Sequence, residues 1–92
     1  MISLKIGDIV KKSPKITWRR VENEGVLLNL NNGDYFTLSE VGVEIWKRLD
    51  GDTPISEIVS FIAEKYRITY NRALRDVGDF IKMLLRYELA EV

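Results

Sequence analysis

LLNLNNGDYFTLSEVGVEIWKRL, residues Leu27 to Leu49, changes its hydrophobic period halfway along. Up to Leu38 apolar residues alternate, as they do on a half-buried strand. From Ser39 they recur three and four apart, as on one stripe of a helix. Val26 to Leu30 reads as a strand with Val26, Leu28 and Leu30 inward. Asn31-Asn32-Gly33 supplies residues that tolerate positive φ, the strongest local hairpin signal in the chain. Asp34 to Leu38 returns as a second strand, with Phe36 and Leu38 toward the core and Tyr35 and Thr37 on the other face. Ser39 is then a good N-cap for a helix whose stripe is Val41, Ile45, Trp46 and Leu49. Asp50-Gly51-Asp52 ends that helix.

Working outward, Ile16 to Val21 alternates, with Ile16, Trp18 and Arg20 on one face and Thr17, Arg19 and Val21 on the other. Asn23-Glu24-Gly25 reads as the turn joining it to the next strand. Further upstream, Leu4 to Val10 alternates weakly, as a short strand or an extended arm, and Lys11-Lys12-Ser13-Pro14 reads as a loop. Downstream, Thr53 caps a second helix with Pro54 at its first position and Glu57 near the capping-box position. Ile55, Ile58, Val59, Ile62 and Tyr66 give its buried face. Arg67 to Tyr70 connects to a third helix running from Asn71 to about Glu88, with Leu74, Val77, Gly78, Ile81, Leu84 and Leu85 as its main stripe. The expected fold is α+β: a three-stranded antiparallel sheet packed on three helices. No repeat, low-complexity tract or linker interrupts it, so residues 1–92 read as a single domain.

Composition narrows the function. The 92 residues contain neither Cys nor His. That removes the thiolate, the commonest general base at neutral pH and the commonest transition-metal ligand. No metal site, no cofactor and no enzymatic activity are expected. Asp34, Glu40 and Glu44 lie near one another, but their spacing fits no hard-metal loop, and Glu40 is a favourable charge in the first turn of a helix. Fourteen basic and fourteen acidic residues cancel, so the strong positive field of a nucleic-acid binder is absent. There is no apolar run of membrane-spanning length and no signal peptide, which favours the cytoplasm and no membrane partner.

The third helix carries more apolar surface than one face needs. Phe80, Met83 and Tyr87 form an adjoining stripe. They either widen the contact with the sheet or wall a groove beside an exposed edge at Asp34 to Leu38. Arg72, Arg75, Lys82 and Arg86 lie around the same helix. Gly78, in mid-helix, reads as a site of close packing, Trp46 as core and Trp18 as half-exposed.

The ordered set Val26-Leu27-Leu28, Tyr35-Phe36-Thr37-Leu38-Ser39, Gly42, Ile45-Trp46, Asp50-Gly51, Ile55-Ser56-Glu57-Ile58, Asp76-Val77, Phe80-Ile81 and Leu84-Leu85 resembles the PqqD family. These are small peptide chaperones, also called RiPP recognition elements. The resemblance spans roughly Pro14 to Val92. Two departures stand out. Ser39 replaces the Asn common after the strand leucine, and the closing Glu88-Leu89-Ala90-Glu91-Val92 lacks the usual Gly. The resemblance implies a winged helix-turn-helix-like arrangement and a partner that is the leader segment of a ribosomally made precursor peptide. The leader would add as a strand beside Asp34, Tyr35, Phe36, Thr37 and Leu38. It would face Arg75, Val77, Asp79, Phe80, Lys82, Met83 and Arg86, for delivery to a leader peptidase or another modifying enzyme. Members serving lasso peptides look closest, with pyrroloquinoline quinone synthesis or a radical-enzyme peptide pathway as the alternative. A DNA-binding winged helix and a homodimer joined through the open edge stay open on the same residues.

Overall fold

The computed structural model describes residues 3–92. In chain order it contains β1 (Ile9–Lys12), β2 (Ile16–Val21), β3 (Glu24–Asn29), β4 (Tyr35–Leu38), α1 (Glu40–Lys47), β5 (Asp50–Pro54), α2 (Ile55–Tyr66), α3 (Tyr70–Arg86) and β6 (Ala90–Glu91). The α+β class holds, but the described residues form two antiparallel three-stranded sheets, ordered β2-β3-β4 and β5-β1-β6. The second sheet replaces three segments read as loop, turn and tail. Lys11 and Lys12 are paired strand residues, Asp50 begins a strand, and Ala90 and Glu91 pair with Lys12 and Lys11. Each of these strands is too short and too polar to announce itself. Pairing across distant parts of the chain creates them.

The main sheet differs from expectation by one residue, and that residue inverts a strand. The β2–β3 turn is Glu22-Asn23, with Glu22 at φ 59°, not Asn23-Glu24-Gly25. A one-residue slip sends every side chain of a strand to the opposite face. Gly25, Leu27 and Asn29 therefore face inward and are buried, whereas Leu28 is 37% and Leu30 62% exposed. The reason is visible at Gly25, where an added Cβ would lie 2.8 Å from Val43 Cγ2. Only a residue without a side chain lets α1 come so close to the sheet. Cross-strand pairs Trp18–Leu27 and Leu27–Phe36 then set the inner face.

Helix starts follow local chemistry. Ser39 Oγ accepts from the Gly42 N–H at 3.2 Å, which caps α1 as expected. Thr53 does not cap α2. Its hydroxyl donates to Asp50 Oδ2 at 2.9 Å, and pairing of β5 with β1 holds this stretch extended, so the helix begins at Ile55. α3 starts one residue before Asn71, because Thr69 Oγ1 accepts from the Arg72 N–H at 3.1 Å. At its far end Glu88 adopts φ 59° and the Leu89 N–H donates to the Leu84 carbonyl at 2.8 Å. Glu88 thus takes the left-handed conformation that a glycine would take more easily.

The core joins all three helices to both sheets. Trp46, Leu27, Ile45, Leu49, Ile58, Ile62, Ile81 and Leu84 are almost entirely buried. Each such side chain contributes roughly 1.5–3 kcal/mol relative to exposure. Lys12 ties β1 to this core by donating from Nζ to the Leu49 carbonyl at 3.2 Å, with Nζ 5.5 Å from the Trp46 ring centre. Burial lowers the Lys12 pKa there, partly countered by Asp50. Among the described residues Gly78 is not a close-packing site. An added Cβ there would meet none of their atoms within 4 Å.

Candidate functional site: a strand edge beside an apolar wall

β4 pairs with β3 alone, so among the described residues its other side is a free edge. The Asn29 N–H donates to the Asp34 carbonyl at 2.8 Å. Main-chain groups alternate sides along an antiparallel strand. The groups of Phe36 and Leu38 therefore turn toward β3, and the N–H and C=O of Tyr35 and Thr37 face the open side. Asp34 lies outside this row. Its carbonyl is taken by Asn29, and its N–H donates to Asn32 Oδ1 at 2.9 Å. Among the described residues the N-terminal arm leaves the edge uncovered. Leu4, Lys5 and Ile6 line a hollow with Ile55, Leu74, Gly78 and Lys82 instead.

Beside the edge stands an apolar wall. The Phe36 and Tyr87 rings are 5.4 Å apart, tilted at 47°. An added Cβ at Gly42 would lie 3.2 Å from Phe80 Cε1 and 3.4 Å from Leu38 Cβ. Gly42 thus lets the Phe80 ring nest between α1 and β4. Phe80, Met83 and Phe36 are half-buried, Leu38 is buried and Tyr87 is exposed. A half-buried aromatic has contacts that hold it and surface left to offer.

The structure separates the expected residues into groups. Tyr35, Phe36, Thr37 and Leu38 form the edge, and Phe80 and Met83 the wall. Val77 is wholly buried in the core. Lys82 lines the hollow under the N-terminal arm, on the flank of α3 shared with Gly78, away from Phe80. Arg75, Asp79 and Arg86 are exposed on α3. Tyr87, named in the expected wall stripe though not among the residues set to face the leader, packs on Phe36, and Gly42, which was not an expected contact, lies against Phe80. The Phe80–Met83–Tyr87 spacing contained the signal for Tyr87, whereas the part played by Gly42 needs the fold to bring α1 and α3 together.

Glu44 and Glu40 each have partners of their own. Glu44 is buried on α1, 3.7 Å from Arg20 of β2, 3.9 Å from Lys47 and 3.0 Å from Arg48. Burial pushes its pKa up, but the hydrogen bond from Arg48 and the charges of Lys47, Lys65 and Arg48 outweigh that and hold it below the usual value. Glu40 accepts from the Tyr66 hydroxyl at 3.5 Å. Among the described residues no helix is long and apolar enough to cross a membrane.

Comparisons with known proteins bear on the fold and the family. The chain is 36% identical to the protein in the solved structure of TbiB1 in complex with the TbiA(beta) leader peptide, over 88% of this chain and 94% of that one, with a TM-score of 0.82. The structure of a lasso peptide synthetase B1 complexed with the leader peptide shares the fold, with a TM-score of 0.83 at 21% identity over 92% of this chain and 100% of that one. No curated protein matches. The sequence pattern of one family, coenzyme PQQ synthesis protein D (PqqD), matches residues 24–90, and the chain belongs to that family.

Proposed function

We propose that this protein is a non-catalytic recognition element that binds the leader segment of a ribosomally made precursor peptide. The leader adds as a fourth strand to β4, and the loaded protein presents the precursor to a leader peptidase or another processing enzyme in lasso-peptide biosynthesis. The observation that carries this reading is the edge at Tyr35 and Thr37 lying beside the Phe36, Phe80, Met83 and Tyr87 wall. The relative at 36% identity, solved with a leader peptide, supports it.

The physics suits a disordered guest. Main-chain pairing at an open edge is nearly independent of sequence, at a net ~0.5–1.5 kcal/mol for each hydrogen bond. Specificity comes from side chains seated against the wall, where Met83 adapts to varied shapes. Ordering the guest opposes binding, which keeps the complex reversible.

The test is fluorescence anisotropy with labelled leaders of lasso-peptide and pyrroloquinoline quinone precursors. Saturable binding, weakened by Phe80→Ala with the fold retained, is expected. Binding of duplex DNA in preference to the leader would contradict the reading. The family's description favours a second setting, pyrroloquinoline quinone synthesis. The choice of precursor that binds decides between the two pathways.

A further inference from the structure

We propose that the outer face of the β2-β3-β4 sheet is a second contact surface for the guest, taking a large apolar or aromatic side chain that points away from the helices. This rests on the strand-addition reading above. Register aligns Thr17, Leu28 and Tyr35 in one row across the sheet and Arg19, Val26 and Thr37 in the next. All six side chains face away from α1 and α3. Tyr35 is 70% exposed and Leu28 37%, whereas Leu27, which points to the opposite face from Leu28, is completely buried. Between the rows lies a hollow of about 300 Å³ lined by Thr17, Trp18, Arg19, Val26, Leu28 and Tyr35.

Tyr35 makes this hollow continuous with the proposed site. Its main-chain groups belong to the free edge, while its side chain walls the hollow. A strand added to β4 must put alternate side chains on this face, about 4.5–5.5 Å between Cβ atoms from Tyr35 or Thr37. Thr37 is short, so a long guest side chain beside it can lean across toward Val26 and Leu28. An aromatic or branched aliphatic group fits that lining, and Arg19 disfavours a cationic one. The guest is therefore read from both faces of the sheet. Its anchors fall at alternate positions for the inner wall, plus one at odd spacing for the outer hollow.

The probe is a display library of short random peptides, selected on the wild-type protein and measured individually by anisotropy against wild type, Leu28→Lys, Leu28→Thr and Phe80→Ala. Selected peptides should carry an odd-spaced large apolar residue. Replacing it by Ser should weaken wild-type binding about tenfold and change little on either Leu28 variant, the signature of a direct coupling. Leu28→Thr keeps a strand-forming residue and guards against misfolding of Leu28→Lys. Peptides that need only alternate anchors and bind both Leu28 variants at wild-type affinity would overturn the proposal. So would a change in self-association of the unliganded protein without a change in peptide affinity, which would assign the face to a second copy. If Phe80→Ala also leaves all binding intact, strand addition itself fails, an outcome separate from loss of the outer contact alone.

Discussion

Among the described residues the main sheet has two free edges, and they are built differently. β2 ends the sheet with Ile16-Thr17-Trp18-Arg19-Arg20-Val21, and two adjacent cations mark its edge. Arg20 is held there, donating from Nε to the Glu22 carbonyl at 3.3 Å and lying 3.7 Å from Glu44. Charged side chains are a common way to keep an edge from pairing with other chains. β4 ends the other side with Tyr35-Phe36-Thr37-Leu38, has no charged residue, and lies beside the aromatic wall. An open edge alone does not make a binding site. The combination of an unguarded edge and an apolar wall distinguishes β4 from β2.

The largest expected effect comes from blocking one edge and not the other. The Thr37 N–H faces the open side, so Thr37→Pro removes a donor to the guest without removing a bond to β3. Leader affinity should fall about a hundredfold or more, read by anisotropy, with the circular dichroism spectrum retained. The matching Arg20→Pro on β2 should change affinity by no more than about twofold. Equal losses would erase the distinction between the edges.

Phe80→Ala tests the wall next. Leader affinity should drop about tenfold to a hundredfold, while thermal melting still shows a cooperative transition. Loss of the transition would make Phe80 a core residue only.

Glu44 anchors the guarded edge to α1. Glu44→Gln should lower stability at neutral pH by about 1–3 kcal/mol, measured by urea unfolding, and leave leader affinity unchanged. Because the folded pKa lies below the ordinary 4.5, the unfolded chain binds the proton more readily. The stabilisation is complete above that value and is lost as pH falls through the lowered one. Wild type and variant should therefore converge in stability on acidification.

The smallest effect belongs to Gly78, on the flank of α3 away from both edges. Gly78→Ala meets no described atom and should raise stability by up to about 1 kcal/mol, with leader affinity unchanged.

Much of this contrast was legible in the sequence. The Ser39 cap, the β4 strand and the Phe80–Met83–Tyr87 stripe are local patterns, and local patterns survive folding. The facing of β3 was not. Alternation fits Val26-Leu27-Leu28 equally well in either phase, and the choice depends on Gly25 meeting Val43 from a distant helix. The small sheet was hidden for a similar reason. Lys11-Lys12, Asp50-Gly51-Asp52 and Ala90-Glu91 have no strand character until they find each other. In the site, the two-residue spacing already puts Lys82 on a different flank of α3 from Phe80, but that this flank lies under the N-terminal arm is set by the fold.

The most direct test is amide hydrogen exchange, resolved by NMR, with and without the leader. Binding should newly protect the Tyr35 and Thr37 amides and leave those of Trp18 and Arg20 exchanging as before. Protection appearing along β2, or a bound complex in which Tyr35 and Thr37 exchange as fast as in the free protein, would contradict strand addition at β4.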